Sequence, residues 1–267
     1  MGNMLKTQDR MAGYTIGEKL SIRHDGEREV YAAVDAEGMR TVLTVFDLQS
    51  DRYSEARKEG KEGVGIIDEI VFLKANQGLD GVAEFLDCGV EERGEKKYAW
   101  MAQRHVEAEN LQTLIRTAGT LDAAEALGIS RTVGKVAERA AVYTDGGGHY
   151  NISTGNILVK REEGKPTEAY LIGFANLGES HHGSHRIDIE ALDSQCMAPE
   201  ATKGIFTHKS DVYALGVPSE IQAERRGDRP YLRTGKRVIS FWNGLRGFHL
   251  THAWRLLLRG TTLCSGV

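Results

Sequence analysis

Met197-Ala198-Pro199-Glu200, followed shortly by Ser210-Asp211-Val212-Tyr213-Ala214-Leu215-Gly216, is the stretch that decides the fold of this 267-residue chain. The second part reads as the start of a buried helix over 210–217, which Pro218 is expected to interrupt. Working back, residues 176–195 are mostly polar and read as a loop. Asn156-Ile157-Leu158-Val159 and Ala169-Tyr170-Leu171-Ile172-Gly173-Phe174 read as short apolar strands separated by the polar loop Lys160 to Thr167. Asp122 to Tyr143 carries Leu127, Ile129, Val133, Val136 and Ala140 at helical spacing, ended by Gly146-Gly147-Gly148. Leu111, Leu114 and Ile115 predict a short amphipathic helix before it.

The first third alternates differently. Tyr14 to Leu20, Glu29 to Val34 and Thr41 to Phe46 read as strands, separated by the turns Arg23-His24-Asp25-Gly26 and Asp35-Ala36-Glu37-Gly38. Ile66, Ile67, Ile70, Val71 and Leu73 predict one helix running to about Asn76. Val82 to Cys88 and Tyr98 to Gln103 read as two further strands joined by a turn over Glu91 to Lys97.

Composition narrows the classes of function. There are 34 Lys+Arg against 38 Asp+Glu, a formal net charge of −4, and 40% hydrophobic residues. That is enough for a buried core without metal or disulfide staples, and it argues against disorder. The near-neutral balance argues against wholesale nucleic-acid binding. The charge is uneven, however. From Val217 to Val267, nine basic residues face three acids, giving +6 and leaving −10 for the first 216 residues. No apolar run approaches the ~20 residues of a membrane span, and the polar start, Met1 to Arg10, has no signal-type apolar stretch. Cys88, Cys196 and Cys264 are odd in number and far apart, which fits reduced thiols and a cytoplasmic location.

This order of elements resembles the eukaryotic-like protein kinase family. The two opening motifs resemble the A-P-E end of the family's activation segment and its S-D-V-Y-x-L-G helix. His149-Tyr150-Asn151-Ile152-Ser153-Thr154-Gly155-Asn156-Ile157-Leu158 resembles the catalytic loop H-R-D-x-K-P-x-N-I-L. Leu171-Ile172-Gly173-Phe174-Ala175 resembles the strand entering D-F-G. Val30-Tyr31-Ala32-Ala33 resembles the end of the glycine-rich loop, and Glu69-Ile70-Val71-Phe72-Leu73 the regulatory helix with its ion-pairing glutamate. The resemblance covers residues 14 to 216. It implies a two-lobed α+β fold: an antiparallel sheet plus one helix over 14–104, then a mainly helical lobe over 105–216 that falls short of the family's usual length. A 1–13 extension precedes them and an atypical basic tail, 217–267, follows.

The departures concern the groups that family catalysis uses to hold nucleotide, Mg²⁺ and the attacking hydroxyl. Asn151 stands for the catalytic aspartate and has no basicity near neutral pH. Ser153 stands for the loop lysine. Gly173 stands for the metal-binding aspartate. The strand lysine aligns at Val45, within one residue, and residues 41–57 contain no lysine. Glu69 thereby loses its usual partner and is expected to be solvated or to pair with an arginine from elsewhere. Arg23, Asp25 and Arg28 occupy glycine positions, where side chains block a phosphate. Ala33, Glu69, Met101 and Asn156 are then vestigial cofactor contacts, with Asn156 a vestigial metal ligand. His149, Glu200 and Asp211 keep structural roles: Asp211 accepting hydrogen bonds from the loop backbone, Glu200 pairing with a late arginine.

The reading implied is a catalytically inactive pseudokinase that signals through an unidentified protein partner, with no cofactor. A divergent active kinase or ATP-binding protein, with or without Mg²⁺, is the alternative, and a truncated non-functional paralogue a third. Glu179, His182 and His185 offer metal-ligating types but read better as a solvated polar loop. Ser180, Ser184 and Ser194 are loop serines open to phosphorylation. Cys196 reads as a small buried apolar group. In the tail, Leu250, Trp254, Leu257 and Leu258 fall on one helical face beside Arg255 and Arg259, a stripe suited to the protein's own lobe, a partner or an anionic membrane surface. A frame-shifted end is the competing account.

Overall fold

The computed structural model describes residues 4–21, 27–118, 121, 123–178, 181–182, 187 and 192–224. The protein is mixed α+β, and its chain divides into two compact units, 1–108 with 170–175 and 109–169 with 176–267.

The first unit is built on a six-stranded sheet. Its strands are β1 (Arg10–Met11), β2 (Tyr14–Ser21), β3 (Arg28–Val34), β4 (Arg40–Asp47), β5 (Phe85–Arg93) and β6 (Lys96–Arg104). The order is β1-β2-β3-β4-β6-β5, and every pairing is antiparallel. Alternation along the strands separates two faces. Ile16, Tyr31, Ala33, Leu43, Val45, Tyr98, Trp100 and Ala102 form one apolar cluster, which Leu5 and Met11 complete. The segment expected as an extension is therefore part of this core. Each of those two side chains, 1% exposed, contributes ~1.5–3 kcal/mol by burial. Polar contacts fix the segment: Met4 N–H donates to Glu29 Oε2 at 2.8 Å and Leu5 N–H to the Tyr31 hydroxyl at 3.1 Å. Lys19 Nζ, 2.6 Å from Glu29 Oε1, and the Tyr31 hydroxyl also bind this buried carboxylate. Its pKa is lowered because these partners together outweigh the opposing effect of burial.

Helix α1 (Ser54–Lys58) and helix α2 (Asp68–Ala75) follow β4, and α2 packs against β5. The strand expected over Val82 to Cys88 runs instead from Phe85 to Arg93, and the wide turn expected at Glu91 to Lys97 shrinks to Gly94-Glu95. The charged residues there are exposed hairpin arms whose side chains alternate outward, with Glu92 opposite Lys97. Gly94, at φ +62°, takes the positive dihedral that the two-residue loop requires.

The second unit contains α3 (Leu111–Ala118), α4 (Ala123–Tyr143) and α5 (His208–Glu224). Asn110 Oδ1 caps α3 by accepting from Thr113 N–H at 2.8 Å. Ile129, Val133, Val136, Ala137 and Ala140 form the buried stripe of α4, which packs on α5. Gly146, at φ +89°, closes α4 with its N–H on the Ala141 carbonyl at 2.8 Å. Strand β7 (Glu109–Asn110) pairs with β8 (Ile157–Lys160), which β9 (Glu168–Leu171) flanks. Within the expected loop 176–195, β10 (His181–His182) pairs with β11 (Ile205–Phe206). Pro218 does not interrupt α5, whose helical backbone continues to Glu224. The fixed φ of proline is itself helical, so α5 keeps its course through Pro218 at the cost of one hydrogen bond and of crowding against the carbonyl four residues back. No helix among the described residues is long and apolar enough to cross a membrane.

Candidate functional site

The first unit holds a buried ion pair. Glu69 lies in the first turn of α2 and Arg28 begins β3; they are 5% and 7% exposed. Arg28 Nε donates to Glu69 Oε2 at 2.8 Å and Nη2 to Oε1 at 2.7 Å, a two-pronged fit of guanidinium to carboxylate. Phe46, the cross-strand neighbour of Arg28, has its ring 5.8 Å from the guanidinium carbon. Burial pulls the Arg28 pKa down, but the Glu69 charge and hydrogen bonds outweigh it, and the net shift is upward. Beside them Tyr53 is buried, which pushes its hydroxyl up to about 12 and keeps it neutral.

Glu69 is thus neither solvated nor alone: its arginine comes from a position expected to obstruct a glycine-rich loop. Arg23 and Asp25, the other two such positions, lie outside the described residues. Strand alternation also sorts Val45, the position read as standing for the strand lysine, from its neighbours. Val45 belongs to the apolar cluster completed by Leu5, as does Ala33, so neither shares a face with Arg28. Phe46 and Thr44 do, and so does Met101, the cross-strand neighbour of Thr44, buried at 1%. A shift of one residue along β4 reverses the side chain's direction, so Val45 points away from the Arg28–Glu69 pair and Phe46 toward it.

The segment 170–175 belongs to the same unit. Leu171 N–H donates to the Gly81 carbonyl at 2.8 Å. Gly173 takes φ +82°, Phe174 stacks on Phe72 of α2 with ring centres 5.3 Å apart, and Arg52 Nη2 donates to the Ala175 carbonyl at 2.5 Å. With hydrogen in place of a side chain, Gly173 supplies no side-chain ligand to a cation.

In the second unit, Asp211 organises the loop at 148–156. Its Oδ2 accepts His149 N–H at 2.6 Å and its Oδ1 accepts Tyr150 N–H at 2.8 Å. Tyr150 is held at φ +59°, a costly dihedral for a side chain of this kind. Its ring meets Phe206 edge-on at 5.5 Å, which secures that conformation. Gly148 is required here, since a Cβ would lie 2.4 Å from Asp211 Oδ2. Burial pushes the Asp211 carboxyl up to about 7 despite the two backbone donors.

His149 is fully buried, and its Nδ1 accepts Asn151 N–H at 3.2 Å. Asn156 Nδ2 donates to the Asn151 carbonyl at 2.8 Å, so Asn156 closes the loop on itself. Ser153 is buried. Glu200 Oε1 accepts from the Ser210 hydroxyl at 3.5 Å; the arginines proposed as its partners, 225–259, lie outside the described residues. A cavity of about 30 Å³, room for a water or two, is lined by Asn151, Ser153, Asp193, Cys196, Ser210 and Asp211 among others. Burial and Asp193 push the Cys196 thiol up to about 12, so it stays protonated and inert.

Among the described residues no cluster of three or more His, Cys, Asp or Glu is placed to hold a metal ion. Glu179, Ser180, Ser184 and His185 lie outside those residues, as do Leu250, Trp254, Arg255, Leu257, Leu258 and Arg259. Ser194 is exposed. Sequence reasoning missed Arg28 as the specific partner of Glu69. The available signal was the need of a buried helix carboxylate for a cation, with Arg28 on the alternation facing it. No protein-family model matches the chain, and no curated protein matches its sequence.

Proposed function

We propose that this protein is a degenerate, two-lobed member of the protein-kinase family, a pseudokinase, acting in the cytoplasm through contact with a protein partner rather than by phosphoryl transfer. The observation that carries this reading is the Arg28–Glu69 pair. The acid that would orient a nucleotide-binding lysine is satisfied by an arginine of the same unit. Gly173 and Asn151 support the reading, because each lacks the carboxylate that metal binding or proton removal requires. By the scale of preorganised charge stabilisation, each loss removes ~2.7–4 kcal/mol from a transition state, and the losses are not additive.

The second reading is an ATP-binding protein with a migrated cation, favoured by the burial of a guanidinium beside Glu69 where an active relative would use lysine. A thermal melt of the full chain with millimolar ATP, alone and with Mg²⁺ or Mn²⁺, separates them. The pseudokinase reading expects an unchanged Tm. A metal-dependent rise of several degrees sinks the empty cleft and favours the ATP-binding reading, since a ligand of the folded state must raise its stability.

A further inference from the structure

We propose that the polar cavity of the second unit is a site for one water-sized monovalent cation, of the potassium or ammonium kind, held between Asp193 and Asp211. The inference goes beyond the reading above and rests on the second unit alone.

The cavity carries it. Its volume of about 30 Å³ admits one such ion stripped of its water. Among the described residues it is lined by two carboxylates, Asp193 and Asp211, and by no Lys, Arg or His. Asp211 is 3% exposed, and its partners are the peptide N–H groups of His149 and Tyr150. Asp193 Oδ1 accepts from Gln195 N–H at 3.0 Å, while Oδ2 meets the weak donor of the Cys196 thiol at 3.8 Å. The start of α5 offsets part of the Asp211 charge but not that of Asp193, which lies outside the helix.

A second observation is independent of the acids. Ser153, 6% exposed, lines the same cavity, and its hydroxyl has no hydrogen-bond partner among the described residues. A buried hydroxyl left so is costly, and a ligand in the cavity supplies the partner. Ser210 adds a further hydroxyl oxygen to the lining. Water would satisfy the hydroxyls and return no charge to the acids; a monovalent cation does both. Apolar walls at Ala198, Phe206 and Ala214 leave the field of the two acids poorly screened. Mg²⁺ and Ca²⁺ fit badly, because they demand a fuller oxygen shell, or retained waters, than this volume holds.

The test melts the full chain at a pH of about 8, where carboxyl groups are ionised, with ionic strength held constant by tetramethylammonium chloride, whose cation is too large to enter. Replacing that salt with potassium or ammonium chloride, from about 1 to 100 mM, is expected to raise the Tm by a few degrees, since an ion bound only by the folded state adds stability. Asp193→Asn, which keeps size and the oxygen facing Gln195, and Ser153→Ala are each expected to lose most of that rise. Should one of them fail to melt cooperatively, the other decides. Equal Tm values in all the salts mean that the cavity holds water only, and overturn the site. A rise undiminished in the variants places the ion elsewhere and overturns it too. No nucleotide enters this series, so its outcome is separate from that of the ATP melt.

Discussion

Glu69 in the first unit and Asp211 in the second are both buried acids near the start of a helix, yet they are neutralised differently. Glu69 meets a full positive charge, held by two short hydrogen bonds. Asp211 meets only two backbone N–H groups, at 2.6 and 2.8 Å. Burial raises the Asp211 pKa to about 7, because peptide dipoles return less than solvent would. The comparison teaches that a buried carboxylate can pin structure in two ways: by charge, which ties two distant segments, or by backbone donors, which shape one loop.

The largest effect should come from breaking the charge pair on one side. Arg28→Met leaves Glu69 buried without its cation and should lower stability by ~3–5 kcal/mol in a urea titration. Replacing both partners, R28M/E69L, should restore most of that loss, because no charge is then stranded. If the double variant is as unstable as the single one, packing around Phe46 and Tyr53 rather than charge explains the loss.

Asp211→Asn should cost less, ~1–3 kcal/mol, since one amide oxygen still accepts while its NH₂ faces the other donor. Its pH signature is more telling. The folded pKa, about 7, lies above the ordinary 3.8, so between these values the folded chain binds more protons than the unfolded one. The Asp211 contribution is therefore fully present below pH 3.8 and lost as pH rises through 7. Urea midpoints between pH 4.5 and 7.5 should fall with rising pH for wild type relative to Asp211→Asn. A slope of opposite sign would show that the two N–H groups hold the carboxylate ionised.

The smallest effect belongs to a pair joined at the rim. Arg161 forks onto Glu125 at 2.6 Å through both Nε and Nη2, but the arginine side chain is 40% exposed. Arg161→Ala should shift the urea midpoint by no more than the ~0–1 kcal/mol of a solvent-screened pair.

How much of this was legible depends on whether the signal was periodic or conformational. The strands at 14–21, 28–34 and 40–47 and the helix at 123–143 follow from alternation and from apolar spacing with a glycine stop. The hairpin at Gly94-Glu95 was blurred because charge reads as turn, although charged side chains on an exposed arm fit a strand equally well. Residues 1–13 carry too few apolar positions to show a period. Leu5 and Met11 matter through what they cover, which a local pattern does not reveal. At the candidate site, the lack of a carboxylate or amine at Asn151, Ser153 and Gly173 is a direct reading of residue type. The Arg28–Glu69 pair spans 41 positions and depends on which strand face each residue occupies. A one-residue difference along a strand reverses the face, as Val45 and Phe46 show in β4.

The opening segment has a consequence for how the first unit is assembled and handled. Its contacts reach 25 residues ahead to Glu29, 79 ahead to Glu91 and 83 ahead to Arg93. Those partners lie in β3 and in the β5–β6 hairpin, so this segment closes long loops that can be seated only once those strands are in place, as the 170–175 stretch does over a still longer span to Arg52. An expression boundary placed at Tyr14 would fit the alternation of the strands, yet it would leave Ile16, Tyr31, Leu43 and Trp100 uncovered as a contiguous sticky face.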